Sequence, residues 1–297
     1  MNVDGVTLRY YDVGEVRLHV ACAGPADAAK TAILLHGFPE AWWSWRHQIR
    51  ALADAGFRVL APDMRGYNLS DKPRGVSAYG TKHLVADVLG LARAAGASKV
   101  LLAGHDWGGE VAWRFAMAHP DVVERLAILN CPHPLELMRG LRTPRQLGKS
   151  WYFGFFQLPQ VPERLLSKDG YAALRRIYAT DGFTAEEIEP YVEAFSRPRA
   201  LTSAINYYRA AFRQLATGRT PRVSSISCPT LVIWGTNDRV LGEEMATPPM
   251  RFVPDARVAR IEGASHWVQH DAPARVSELL LEHFGADARE VHPSAEA

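Results

Sequence analysis

The chain has 297 residues, 47% hydrophobic and 22% charged, which is enough to bury a full core in one large α/β domain that carries an insertion. Thirty-four Lys+Arg against 32 Asp+Glu leave a formal charge of +2 with no basic or acidic block. That balance argues against nucleic acid and acidic membrane surfaces and for small neutral partners.

The opening residues, MNVDGVTLRYYDVG, lack the basic, apolar, small-residue order of a secretory signal. No stretch approaches the roughly 18 uncharged apolar residues of a membrane span, so a cytoplasmic protein is expected. Cys22, Cys131 and Cys228 are odd in number and far apart, which predicts buried free thiols and no disulfide framework.

Two β-like segments, TLRYYDV and EVRLHVACAG, flank a glycine turn and read as an antiparallel pair. Then come four apolar runs with almost no alternation: TAILLHG (31–37), RVLAPD (58–63), KVLLAGHD (99–106) and ERLAILN (124–130). Such runs suit strands buried on both faces of a parallel sheet. Between them SWRHQIRALADAG, GTKHLVADVLGLARAAG and GGEVAWRFAMAHP carry helical spacing and stop at glycine or before proline. This alternation predicts a doubly wound sheet.

From residue 131 to 222 the chain is proline-punctuated and aromatic, with helical pieces and no strand, which predicts a helical lid. Strand-like PTLVIWGTND and ARVARIEG follow, then the helix PARVSELLLEHF and a small polar tail expected to fray. The expected organisation is a core of residues 1–130 and 223–297 with a lid of 131–222.

The stretch Gly104-His105-Asp106-Trp107-Gly108 has the glycine spacing of a nucleophile elbow, with an aspartate where a serine hydrolase has serine. Aspartate is also a favoured helix N-cap, so the motif alone leaves both readings open. Its partners weigh for chemistry: Asp238 follows one predicted strand and His266 the next, in the nucleophile, acid, histidine order of α/β-hydrolases. The loop HGFPE after the first parallel strand assigns an oxyanion-hole N–H to Phe38, and the elbow helix assigns a second to Trp107.

In HGFPEAWWSWRHQI, DMRGYNLSDKP, GHDWGG, GTNDRVL and GASHWVQHDAP, in order along nearly the whole chain, the sequence resembles epoxide hydrolases of the α/β-hydrolase fold, with haloalkane dehalogenases as near relatives. The resemblance implies a nucleophilic Asp106, a water-activating His266–Asp238 pair and a helical lid.

Chemistry explains the aspartate. A serine attacking a saturated carbon leaves an ether, which an activated water does not cleave at a useful rate. A carboxylate leaves an ester, which can be hydrolysed at its own carbonyl carbon. Opening an epoxide also requires an acid for the nascent alkoxide. The resemblance supplies two lid tyrosines, Tyr152 in SWYFGFFQLP and Tyr208 in INYYRAAF, the latter preferred over Tyr207 on family pattern and not on periodicity. Phenols stay protonated at neutral pH and can donate.

Phe38 in place of the asparagine of many dehalogenases, and Trp107 in place of the arginine of the fluoroacetate type, argue against those alternatives. Trp107 itself occurs in both families and leaves the haloalkane reading alive. A third reading is a receptor of this fold that binds a small hydrophobe without turnover.

Trp107, Phe38, Trp151 and Phe153 are the expected substrate contacts, with Phe155 and Phe156 adding to an apolar channel. His266 and His270 are four apart but lack a nearby acidic third ligand, His36 and His105 suit loop hydrogen bonding, and GHDWGG lacks the lysine of a phosphate loop. No metal and no cofactor are expected. The expected partners are a small apolar epoxide and water, and a homodimer is compatible with the sequence.

Overall fold

The opening segments form strands β1 (Thr7–Asp12) and β2 (Arg17–Ala23), antiparallel with Thr7 opposite Cys22. The unalternating runs become β3 (Thr31–Leu35), β4 (Arg58–Pro62), β5 (Val100–His105) and β6 (Val123–Leu129). Later in the chain come β7 (Thr230–Gly235) and β8 (Ala256–Ile261). They make one eight-stranded sheet in the order β1-β2-β4-β3-β5-β6-β7-β8. From β4 to β8 all neighbours are parallel, so their C-terminal ends share one edge. Every residue of β5 is buried, as expected of a central strand covered on both faces. The computed structural model describes residues 3–218 and 222–285; the polar tail from 286 onward, expected to fray, lies outside the described residues.

Helices cover both faces. On one, α1 (Arg46–Asp54) presents Ile49 and Leu52 to Leu279, Leu280 and Phe284 of α11 (Pro273–Phe284) within one apolar cluster. On the other, α2 (Thr81–Ala94) and α3 (Trp107–Ala118) bury Leu84, Val88, Val111 and Phe115.

Between β6 and β7 stand α4 (Pro134–Gly140), α5 (Pro144–Lys149), α6 (Trp151–Phe155), α7 (Val161–Thr180, two helical pieces joined through non-helical backbone at Lys168, Asp169, Gly170 and Tyr171), α8 (Ala185–Ser196) and α9 (Ala200–Ala216). The α8 start is fixed by a capping box in which the Thr184 side chain and Glu187 satisfy each other's backbone N–H. The four-residue helix α10 (Val268–Asp271) follows β8. No described helix is long and apolar enough to cross a membrane. All three cysteines are free, although Cys22 is only partly buried, short of the expectation.

Candidate active site

The elbow lies where β5 hands over to α3. Asp106 has φ 49° and ψ −118° and makes no capping hydrogen bond to the helix it precedes. A non-glycine residue held there is strained, and its side chain is aimed elsewhere than a cap, which removes the N-cap alternative. The flanking glycine is a steric requirement: a Cβ on Gly104 would fall 2.3 Å from the Gly108 carbonyl oxygen. Likewise a Cβ on Gly37 would overlap the Asp106 side chain, which is why the β3 loop approaches so closely.

That approach places the Phe38 N 2.8 Å from Asp106 Oδ1, and the Phe38–Pro39 peptide that follows is cis. The other carboxylate oxygen lies 3.6 Å from His266 Nε2. On the far side of the ring His266 Nδ1 is 2.8 Å from Asp238 Oδ2. The structure therefore brings residues 106, 238 and 266 together at the ends of β5, β7 and β8.

Asp238 is saturated with donors. Oδ2 also accepts from Asn130 Nδ2 at 2.7 Å, and Oδ1 accepts the N–H groups of Val240 and Leu241 at 2.7 and 2.8 Å. Burial pushes its carboxyl upward, but the His266 charge and these donors prevail and hold it below the ordinary range. Burial likewise disfavours a charged His266, yet the Asp238 charge and the hydrogen bonding of Asp106 and Asp238 hold its pKa well above the usual value.

Asp106 sits on a cavity of about 300 Å³ together with Trp107, Tyr152, Phe153 and Tyr208. A roomier groove of about 690 Å³ on the lid surface, lined by Gln160, Arg164 and Arg213, is open and contains none of these groups. The two cavity tyrosines are 5.9 Å apart between ring centroids. Burial first, and then the Asp106 charge, raises both phenols well above 10, so they remain protonated donors. Of the adjacent pair on α9 only Tyr208 lines the cavity; the Tyr207 hydroxyl donates to the Arg65 carbonyl at 2.7 Å.

Two expected contacts are corrected. Trp151 is 67% exposed and off the cavity wall, because residues turn about 100° apart on a helix and α6 points Tyr152 and Phe153 inward. The Phe38 ring is packed against Phe156, Phe195 and Tyr208 and does not line the cavity; its contribution is the backbone N–H. Phe155 and Phe156 also pack against neighbouring rings and are not on the cavity wall, where the aromatic Trp107, Tyr152, Phe153, Tyr208 and Phe212 stand with the aliphatic Leu137, Met138, Leu141 and Leu215.

A buried hydrogen-bonded support lies beneath, in which His105 does the loop bonding expected of it. Glu40 accepts from the Gly37 N–H at 2.8 Å, from His105 Nδ1 at 2.7 Å and from Gln269 Nε2 at 2.8 Å. Burial opposes its charge, but His105 and the donated bonds leave it below the ordinary carboxylate range. His105 Nε2 in turn reaches the His266 carbonyl at 2.8 Å. Asn130, in left-handed backbone at φ 39°, ties Asp238 to the Gly235 N–H. A polar residue just past a buried strand was the available signal for Asn130; nothing local marked Glu40.

His36 accepts from the Met64 N–H and hydrogen-bonds the Gly37 carbonyl, as loop geometry required. His270 stacks on Phe183 at 3.7 Å and accepts from Arg46. Among the described residues no three His, Cys, Asp or Glu side chains form a group that could hold a metal.

This elbow, triad order and sheet define a class, and the comparison agrees: a family model described as alpha/beta hydrolase fold matches residues 31–273. The chain belongs to the α/β-hydrolase fold family. It is 40% identical over 288 residues to the AB hydrolase superfamily protein YfhM of Bacillus subtilis, covering 95% of this chain and 99% of that one. It is 34% identical to Epoxide hydrolase 2 of Caenorhabditis elegans, covering 94% of this chain and 80% of that one. Among solved structures it is similar to the epoxide hydrolase of Bacillus megaterium in complex with an inhibitor, with a TM-score of 0.86, 32% identity, and 93% and 99% of the two chains covered.

Proposed function

We propose that this protein is an epoxide hydrolase that adds water to an oxirane through an ester on Asp106, with α4–α9 as the lid over the reaction. The carrying observation is a strained carboxylate, flanked by an N–H donor and a histidine, on a cavity that two protonated phenols also line. The relatives named as epoxide hydrolases support the same reaction.

Tyr152 and Tyr208 hydrogen-bond the epoxide oxygen while Asp106 attacks one ring carbon; the C–O bond breaks and a tyrosine proton passes to the alkoxide. Esterification removes the Asp106 charge, one of the two carboxylates that raise the His266 pKa. The ring then gives up its proton, which restores the tyrosinate left by ring opening, and becomes the base for water, with Asp238 stabilising the imidazolium that results. Water adds to the ester carbonyl while the Phe38 N–H and the elbow N–H of Trp107 stabilise the oxyanion; the acyl–oxygen bond then breaks, the imidazolium proton passes to the departing oxygen so that the diol leaves with one of the original Asp106 oxygens, and the acid proton left on Asp106 returns to His266.

A halide needs no proton on leaving, so two phenols on the cavity favour the epoxide over the haloalkane. A single turnover in ¹⁸O-water tests the route. The first diol is expected to be unlabelled and Asp106 to carry the label; solvent label in the first diol would mean direct attack by water and defeat the ester.

A further inference from the structure

We propose that the substrates are terminal epoxides carrying one extended apolar substituent, an inference that rests on the epoxide hydrolase reading and narrows it. The cavity leaves Asp106 on one flank. Its walls come from α3, the 131–141 segment, α6 and the outer part of α9. Along α9 the lining runs from Tyr208 to Leu215, seven residues or about 10 Å of helix. Leu135, Leu137, Met138, Leu141 and Leu215 give the cavity a mainly apolar wall that suits an alkyl chain, with Thr81, Glu110, Arg114, Gln157 and Gln214 supplying its polar portion.

The opposite flank is filled. The Phe38 ring stands edge-on to Phe156 at 5.4 Å, to Phe195 at 6.0 Å and to Tyr208 at 5.4 Å, and Phe195 is edge-on to Tyr67 at 5.9 Å. None of the five is more than 7% exposed, and of them only Tyr208 lines the cavity. With its oxygen against the two phenols and one carbon facing Asp106, an oxirane directs the substituents of its two carbons to opposite flanks. One flank accepts a chain. The other is aromatic packing at interior density, which has room for hydrogen and no room for an alkyl group.

Two isomers of one formula, 1,2-epoxyoctane and trans-4,5-epoxyoctane, test this with equal hydrophobicity and different placement of the ring. The terminal isomer is expected to have a kcat/KM larger by on the order of a hundredfold, the scale on which packed pockets reject added methylenes. Internal and terminal isomers hydrolysed within about threefold of each other would overturn the inference and leave the epoxide reading intact. Absence of any diol from either isomer at stoichiometric enzyme would overturn both.

Phe195→Ala, which touches neither Asp106 nor the tyrosine hydroxyls, is expected to open the closed flank and shrink the terminal-to-internal ratio by roughly tenfold or more. The ratio does not depend on the fraction of enzyme that folds. An unchanged ratio in active Phe195→Ala would show that this cluster is not the barrier and overturn the assignment; the wild-type isomer pair carries the test if the variant does not fold.

Discussion

His266 faces one carboxylate that is spent in the first half of the proposed reaction and one that persists. The 3.6 Å contact with Asp106 and the 2.8 Å bond to Asp238 divide the histidine's work accordingly. His266→Gln is expected to form the ester and stall: protein mass rises by one epoxide while turnover falls by about 10³ or more, a result read by intact-protein mass spectrometry beside steady-state assay. As pH drops, the ring becomes protonated and the hydrolytic step slows, so kcat should show an acid limb. Asp238→Asn removes the leading charge that raises the His266 pKa. Its limb should therefore move to lower pH even as kcat falls, and a limb that stays in place would exclude Asp238 as the cause of the shift. Glu40→Ala strands three donors in the interior, with an expected loss of about 3 kcal/mol by urea titration. The meeting of Asp106, Asp238 and His266 at one sheet edge was legible because each follows a recognisable strand. Glu40 was not, since its partners His105 and Gln269 come from distant parts of the chain and no local spacing encodes such a network.

Long elements read cleanly and short ones did not. PARVSELLLEHF became α11 with the same residues, whereas α4, α5, α6 and α10 have four to seven residues each, too few for a 3.6-residue period to repeat. The cost was concrete: without the phase of α6, Trp151 looked like a pocket residue. Two histidines also mark where helices are pinned. His133 caps α4 by accepting from the Leu135 N–H and lies against Trp113 and Phe252, and His283 of α11 donates to the Leu126 carbonyl of β6. Burial, reinforced by Arg114 for His133, lowers each to about 4. An unfolded histidine binds its proton near 6.5, so between about 6.5 and 4 the unfolded chain holds more protons and stability falls as pH falls. The urea midpoint should decline across that window. His133→Phe, which keeps the aromatic contacts and cannot titrate, should flatten the decline; an unaltered slope would assign it to other groups.

At the scale of the molecule, the boundary visible in sequence at residue 131 is not a break in packing. One apolar cluster holds Leu35, Phe38 and Leu84 of the sheet and its helices together with Tyr178, Phe195, Ile205 and Tyr207 of the inserted helices. Composition shows where strands stop and helices take over, but the sharing of a core depends on how the inserted helices fold back, which no local pattern records. Polar ties cross the same boundary: Tyr207 to the Arg65 carbonyl at 2.7 Å, Tyr79 to Ser203 at 2.8 Å, Trp267 Nε1 to Asp181 at 2.9 Å, and buried Arg46 to Glu187 at 3.0 Å. Joined domains with small polar interfaces move and melt independently by default, and a shared apolar core opposes that. Scanning calorimetry should therefore give one transition with matching calorimetric and van't Hoff enthalpies. Tyr207→Phe, which deletes one tie and keeps the ring, should cost about 1 kcal/mol and lower that transition as a unit. If instead a low-temperature shoulder separates in Tyr207→Phe while the main peak stays fixed, the inserted helices unfold on their own and the common core does not couple them to the sheet.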